Sequence, residues 1–246
     1  MNVITVGTLK GGAGKTSTAL ALAACFAERG LNVVFADADP PASATLVFGM
    51  KPVAAPWSAE PIEMYIRELR RGAITLLRGG RPLRAATAEQ RQNFFQRQDV
   101  SGDVMIIDTA PGEIELLDAA LEVSDLVLIP VDSSPLSIPG MNDTVRMANE
   151  YNPPPAIRVL LTAVDRRRKI TAEISERIEA LLPGARMATH IPENSAVVEA
   201  PDYGLPVTLY DRSSTASRAY NELAEELLPL LQAADDAAPL KAVGAR

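Results

Sequence analysis

Cysteine is nearly absent from this chain: Cys25 is the only one in 246 residues. That excludes a disulfide scaffold and any iron–sulfur cluster held by several thiolates. Cys25 itself sits in an Ala-Ala-Cys-Phe run and reads as core packing. Histidine is as scarce, with His190 alone, and a structural role at a strand end is expected for it. No apolar run approaches the roughly 18 residues of a membrane-spanning helix; the longest, Ala19 to Ala27, has nine. No basic-then-apolar leader opens the sequence, so a cytoplasmic protein is expected. Basic residues are in the minority, 24 Lys and Arg against 31 Asp and Glu, for a net charge of −7. This opposes a globally basic nucleic-acid binder but leaves room for a local patch, because binding follows the local field.

What is present is an alternation of apolar strand-like runs with helical patterns. Val3-Ile4-Thr5-Val6, Val33 to Ala36, Val104 to Ile107, Leu126 to Ile129 and Val159 to Leu161 are the runs. Continuous Val, Ile and Leu suit parallel strands buried on both faces. The fold class is therefore α/β: a doubly wound, mostly parallel sheet with helices on both faces. Residues 51–60, with Pro52, Pro56 and Trp57, read as a loop. From Arg67 to Arg97 eight arginines face two glutamates, which makes that segment locally basic. Tyr220, Leu223, Ala224, Leu227, Leu228 and Leu231 recur at helical spacing and predict a terminal helix docked on the core. One domain is expected over residues 1–232, with 233–246 a disordered tail.

Lys10-Gly11-Gly12-Ala13-Gly14-Lys15-Thr16-Ser17 stands between the first strand and a helical pattern. That context makes a phosphate-binding loop. Glycine lets the backbone wrap a phosphate, and the N–H groups of a helix start point at the anion. The cradle is Gly11, Gly12, Ala13, Gly14, Lys15, Thr16 and Ser17. Lys15 would neutralise the β- and γ-phosphates and the Thr16 hydroxyl would hold Mg²⁺. The ordinary pattern G-x-x-x-x-G-K-[ST] fails at its first position, Leu9, and a second lysine, Lys10, precedes the glycines instead. Two acidic motifs end apolar strands: Asp37-Ala38-Asp39-Pro40 and Asp108-Thr109-Ala110-Pro111-Gly112. Strand C-terminal ends are where open α/β sheets bind ligands.

These motifs resemble the deviant Walker A ATPases of the ParA/MinD family, most closely the chromosome- and plasmid-partitioning ParA proteins. The two-lysine loop is similar to the family's phosphate loop, Asp37 to Pro40 to its switch I, and Asp108 to Gly112 to its Walker B and switch II. The stretch from Ile191-Pro192 through Glu199-Ala200-Pro201 to Tyr210-Asp211 resembles the family's C-terminal third, so the likeness runs from residue 2 to about 230. It implies ATP and Mg²⁺ as ligands and a slow, partner-stimulated ATPase. Lys10 would reach across an ATP-dependent homodimer, and Lys10, Lys15 and Asp39 would be the catalytic residues. Thr16, Asp39 and Asp108 would hold the metal. Asp37 would lie by the nucleotide, with Thr162 and Pro192 at the adenine. Pro41 departs from the family, where glutamine is common.

The resemblance further implies binding of nonspecific DNA on the nucleoid and stimulation by a ParB-like or other partner. The candidate DNA residues are Arg166, Arg167, Arg168, Lys169, Arg212 and Arg218. Glu193 and Thr215 stand where relatives often carry arginine, so the basic patch would be relocated. Two rivals are weaker. A MinD-like membrane-cycling ATPase needs a basic amphipathic helix, and Ala237 to Arg246 has Pro239 and no apolar stripe. A metabolic ATP-dependent enzyme is opposed by Lys10 and the C-terminal likeness. No DNA-reading segment precedes the loop, so sequence-specific autorepression is not expected.

Overall fold

Alternate positions along the central strands feed two separate helical layers. The computed structural model describes residues 1–236 except 65, 67, 98, 135, 166 and 168. Its elements in chain order are β1 (Asn2–Val6), α1 (Lys15–Glu28), β2 (Asn32–Ala38), α2 (Ser43–Val47), β3 (Ile62–Met64), β4 (Ala73–Leu77), α3 (Ala88–Phe95) and β5 (Val104–Thr109). Then come α4 (Ile114–Glu122), β6 (Leu126–Val131), α5 (Ser137–Ala148), β7 (Ala156–Val164), α6 (Lys169–Leu181), β8 (Arg186–Pro192), α7 (Ser195–Glu199), α8 (Val207–Tyr210) and α9 (Thr215–Asp236).

The strands form one sheet in the order β3-β4-β2-β5-β1-β6-β7-β8. Every pairing is parallel except β3 with β4. Side chains alternate between the faces of a strand. Ile4, Val6, Val104, Ile106, Leu126 and Leu128 accordingly join the core beneath α1 and α9. Met105 and Ile107 pack with Leu116 and Ala120 of α4, and Val127, Ile129 and Val131 with Met141 of α5 and Ile178 of α6. The expected fold class is what is found.

Helix α1 is buried through almost its whole length, including Cys25 at 1% exposure. Burial pushes the Cys25 thiol up to about 11, so it stays protonated packing material. The docked terminal helix is present, with Tyr220, Leu223, Ala224 and Leu227 fully enclosed. It runs to Asp236, so residues 233–236 continue the helix where the tail was expected to begin; 237–246 lie outside the described residues. Among the described residues no helix is long and apolar enough to cross a membrane.

The segment read as loop and basic surface holds more than expected. It contributes β3 and β4, which extend the sheet beyond β2. Its α3 starts with a capping box in which Thr87 and Gln90 satisfy each other's backbone N–H.

Candidate functional site

The chain winds from β1 toward β2 on one side and from β5 toward β6 on the other. Strand order therefore reverses at β1, and a crevice opens over its C-terminal end. Residues 7–14 fill that crevice. Gly12 and Gly14 have φ of 77° and 82°, left-handed values that favour glycine. Gly14 caps α1 without a side chain, so the first N–H groups of the helix face the loop.

Lys15 is 5% exposed, and its ammonium donates to the Lys10 carbonyl at 2.6 Å. Burial lowers its pKa, Asp108 and Asp39 work against that shift, and Lys10 adds to it. The lysine is thus folded back over its own loop, where an anion in the cradle offers a stronger acceptor.

Asp37 and Asp108 are register neighbours on β2 and β5, and Val6 of β1 is the partner of Asp108 on the other side. Both carboxylates are fully buried. Asp37 accepts from the Thr45 N–H at 2.7 Å, the Thr45 hydroxyl at 2.6 Å and the Asp39 N–H at 3.2 Å. Strand β2 stays extended through Ala38. The backbone turns at Asp39, and Asp37 becomes the anchor of the start of α2. Asp39 is 7% exposed; one oxygen accepts from the Ser43 hydroxyl at 2.8 Å and the other, Oδ1, is buried without a partner. Both oxygens of Asp108 are likewise buried and unpaired.

Burial pushes Asp37 up to about 6, against its hydrogen bonds from Thr45. Burial also holds Asp108 well above the usual carboxylate range, the Asp37 charge adds to it, and the nearby Thr16 and Lys15 oppose it. This has a consequence for stability. Folded Asp37 binds its proton more tightly than the unfolded carboxyl does, so stability is lost as pH rises through about 6. The nucleotide-free protein should therefore be more stable at about pH 5 than at about pH 7.5, by on the order of 1 kcal/mol, and melt at a higher temperature there. Calorimetric melts across that window check it; a melting temperature that falls on acidification would contradict the assignment.

Lys10 is held within its own chain. Its ammonium is ion-paired with Asp132, which also accepts from the Ser137 hydroxyl and, at 3.0 Å, from the Ser134 N–H. Part-burial opposes ionisation of Asp132, but the bonds from Lys10, Ser137 and Ser134 hold its carboxyl below the usual range. Asp132 was missed in the sequence. The signal was available: it follows the apolar β6 as Asp108 ends β5.

Beside the loop lies a cavity of about 440 Å³ lined by Gly12, Ala13, Ser17, Thr162, Pro192, Glu193 and Asn194 among others. Thr162 and Pro192 both line this cavity, and the Thr162 hydroxyl donates to the Ala13 carbonyl at 3.0 Å. It braces the phosphate loop. Pro40 and Pro41 lead into Ala42, a non-glycine residue at φ 58°, whose N–H donates to the Asp39 carbonyl at 2.7 Å.

The candidate DNA residues are not gathered as one set. Arg212 donates to Glu28 at 2.8 Å and to the Glu68 carbonyl at 2.6 Å, and Glu28 also accepts from the Arg70 N–H at 2.6 Å. Arg212 therefore ties the segment after α8 to α1, and its side chain stays 39% exposed. Arg167 is paired with Asp165 in two bonds of 2.9 and 3.0 Å, yet its side chain is 90% exposed. Arg218 and Lys169 line grooves on the two sides of β8. Arg166 and Arg168 lie outside the described residues.

The model of the CobQ/CobB/MinD/ParA nucleotide-binding domain matches residues 4–207. The chain is 29% identical to the sporulation initiation inhibitor protein Soj of Bacillus subtilis, over 92% of this chain and 97% of that one. It is 26% identical to the chromosome partitioning protein ParA of Caulobacter vibrioides, over 93% and 94%. The septum site-determining protein MinD of Pyrococcus horikoshii, solved with Mg-ADP, has the same fold: TM-score 0.75 at 20% identity, covering 95% and 98% of the two chains.

Proposed function

Because the chain belongs to the CobQ/CobB/MinD/ParA nucleotide-binding family and is of the ParA/MinD ATPase type, we propose that it is a partitioning ATPase. Two ATP-bound copies close into a dimer through Lys10 and hold duplex DNA without sequence preference. A ParB-like or other partner then stimulates hydrolysis, and the ADP form releases. Directed movement of DNA or of a protein cargo is the product, in the cytoplasm on the nucleoid. One domain, residues 1–232, carries this cycle.

The observation that carries the reading is the set of buried, unpaired carboxylate oxygens, Asp39 Oδ1 and both of Asp108, below a buried lysine. Buried polar atoms without partners are rare, and a bound ion accounts for three such oxygens grouped around one lysine. They fit a magnesium ion, which takes oxygen ligands and keeps several waters. Thr16, Asp39 and Asp108 would hold Mg²⁺, which when bound neutralises phosphate charge. The backbone of Gly11 to Ser17 binds the phosphates and Lys15 pairs with them. Asp39, steadied by Ser43, orients the attacking water. Thr162 and Pro192 wall the base pocket, and Asp37 fixes the turn that carries Asp39. Arg167, Lys169, Arg212 and Arg218, with Arg166 and Arg168, are the DNA candidates.

Lys15→Ala should weaken ATP binding by about 1.5–3 kcal/mol, roughly 10- to 150-fold, because a charge-assisted contact is lost in a buried cradle. Calorimetric titration with Mg-ATP tests the reading; unchanged affinity would mean that the loop is not the nucleotide site.

A further inference from the structure

We infer that a second phosphate-binding site, separate from the phosphate loop, lies between α6 and the outer strand β8. A cavity of about 360 Å³ opens there, lined by Arg167, Lys169, Thr171, Ser175, Arg186 and His190, with Leu161, Val164 and Ala172 at its base. Among the described residues, none of the phosphate loop lines it, and neither does any aspartate or glutamate. In a chain of net charge −7, a cavity walled by three permanent cations, an imidazole and two hydroxyls is a marked local reversal. Two acidic groups act on its rim: Asp165 pairs with Arg167, and Glu193 adds to the field at that arginine. The other cations are less committed. Arg186 gives one N–H to the Met187 carbonyl at 3.2 Å, while its Nε is buried without a partner. Lys169 has no ion pair among the described residues, and it begins the 13-residue helix α6, whose first N–H groups add positive potential.

Three cations with two hydroxyls converging on one cavity can satisfy the several oxygens and the multiple charge of a phosphate, more than the two oxygens and single charge of a carboxylate require. The ligand class is therefore a phosphate group, taken either from a nucleic-acid backbone or from a small phosphorylated molecule. The nucleic-acid source rests on the partitioning reading; the small-molecule source does not. Pro192, Thr215 and Arg218 line a neighbouring groove on the α9 side of β8, and His190 borders both. A backbone lying along β8 would thus meet Arg218 after leaving the α6 cavity.

The test uses the full chain with its phosphate loop saturated by Mg-ADP or Mg-ATP, comparing wild type with Lys169→Gln and Arg186→Gln. Thermal melts confirm that the variants are folded, and Lys169, being exposed, serves if Arg186→Gln is not. Inorganic pyrophosphate is titrated by calorimetry, and a fluorescent duplex oligonucleotide by anisotropy at several salt concentrations. Each substitution should weaken pyrophosphate about tenfold. If DNA is the source, each should also lower the log–log salt slope of duplex binding by about 0.9. Pyrophosphate affinity lost with DNA binding unchanged, or with no DNA binding even in the wild type, assigns the site to a small phosphate; only the latter outcome also counts against the partitioning reading. Pyrophosphate and duplex affinities both unmoved by either substitution would overturn the proposal.

Discussion

Lys10→Ala should retain ATP but lose the ATP-dependent dimer. Lys15 and the loop backbone remain to hold the nucleotide, so affinity for the monomer falls only modestly. On the proposed reading, what disappears is the contact that Lys10 would make with the partner's phosphates. In a two-fold dimer that contact occurs twice. At about 1.5–3 kcal/mol each, the loss is about 3–6 kcal/mol, or two to four orders of magnitude in the dimer dissociation constant. The structure adds a condition. Lys10 is engaged with Asp132 in its own chain, so it must leave that carboxylate before it can act across an interface. Asp132→Ala should accordingly dimerise at lower ATP than the wild type. Light scattering with ATP measures both; a wild type that stays monomeric, or a Lys10→Ala protein that dimerises as the wild type does, would count against a role in trans.

Asp39→Ala should bind ATP, dimerise, and hydrolyse slower by on the order of 10²–10⁴-fold, the contribution usual for a positioned acid–base group. Asp39 is the carboxylate in this crevice with one oxygen held and one unpaired: Ser43 fixes Oδ2 while Oδ1 is buried without a partner. Asp37 has no such free oxygen; Thr45 and the Asp39 N–H occupy both. Ser43→Ala should therefore lower the rate less than Asp39→Ala, because it loosens the carboxylate without removing it. Phosphate release in single-turnover and steady-state assays reads both. Wild-type turnover by Asp39→Ala would remove it from the chemistry.

Much of this arrangement was legible in the sequence, for physical reasons. The central strands are buried on both faces, and five of them show as apolar runs. The phosphate loop shows because left-handed backbone at Gly12 and Gly14 demands glycine. The acids show because they follow those strands. Other parts were hidden. Strand β3 is three residues long and pairs antiparallel at the sheet's end, so its pattern is too short to stand out among arginines. Strand β8 is an edge with register shifts against β7, and its alternation is broken. The Arg212–Glu28 pair joins residues 184 apart, and only the packing of α8 on α1 brings them together. The turn that hands Asp37 to Thr45 depends on side-chain hydrogen bonds that compete with an extended backbone.

The claim at the centre of this account is that ATP switches the protein onto DNA. Anisotropy of a plain fluorescent duplex, measured at low salt with Mg-ATP and again with Mg-ADP, tests it most directly. The account predicts binding with ATP that weakens steeply with salt, and release with ADP. No binding in the ATP state, or equal binding in both states, would contradict it.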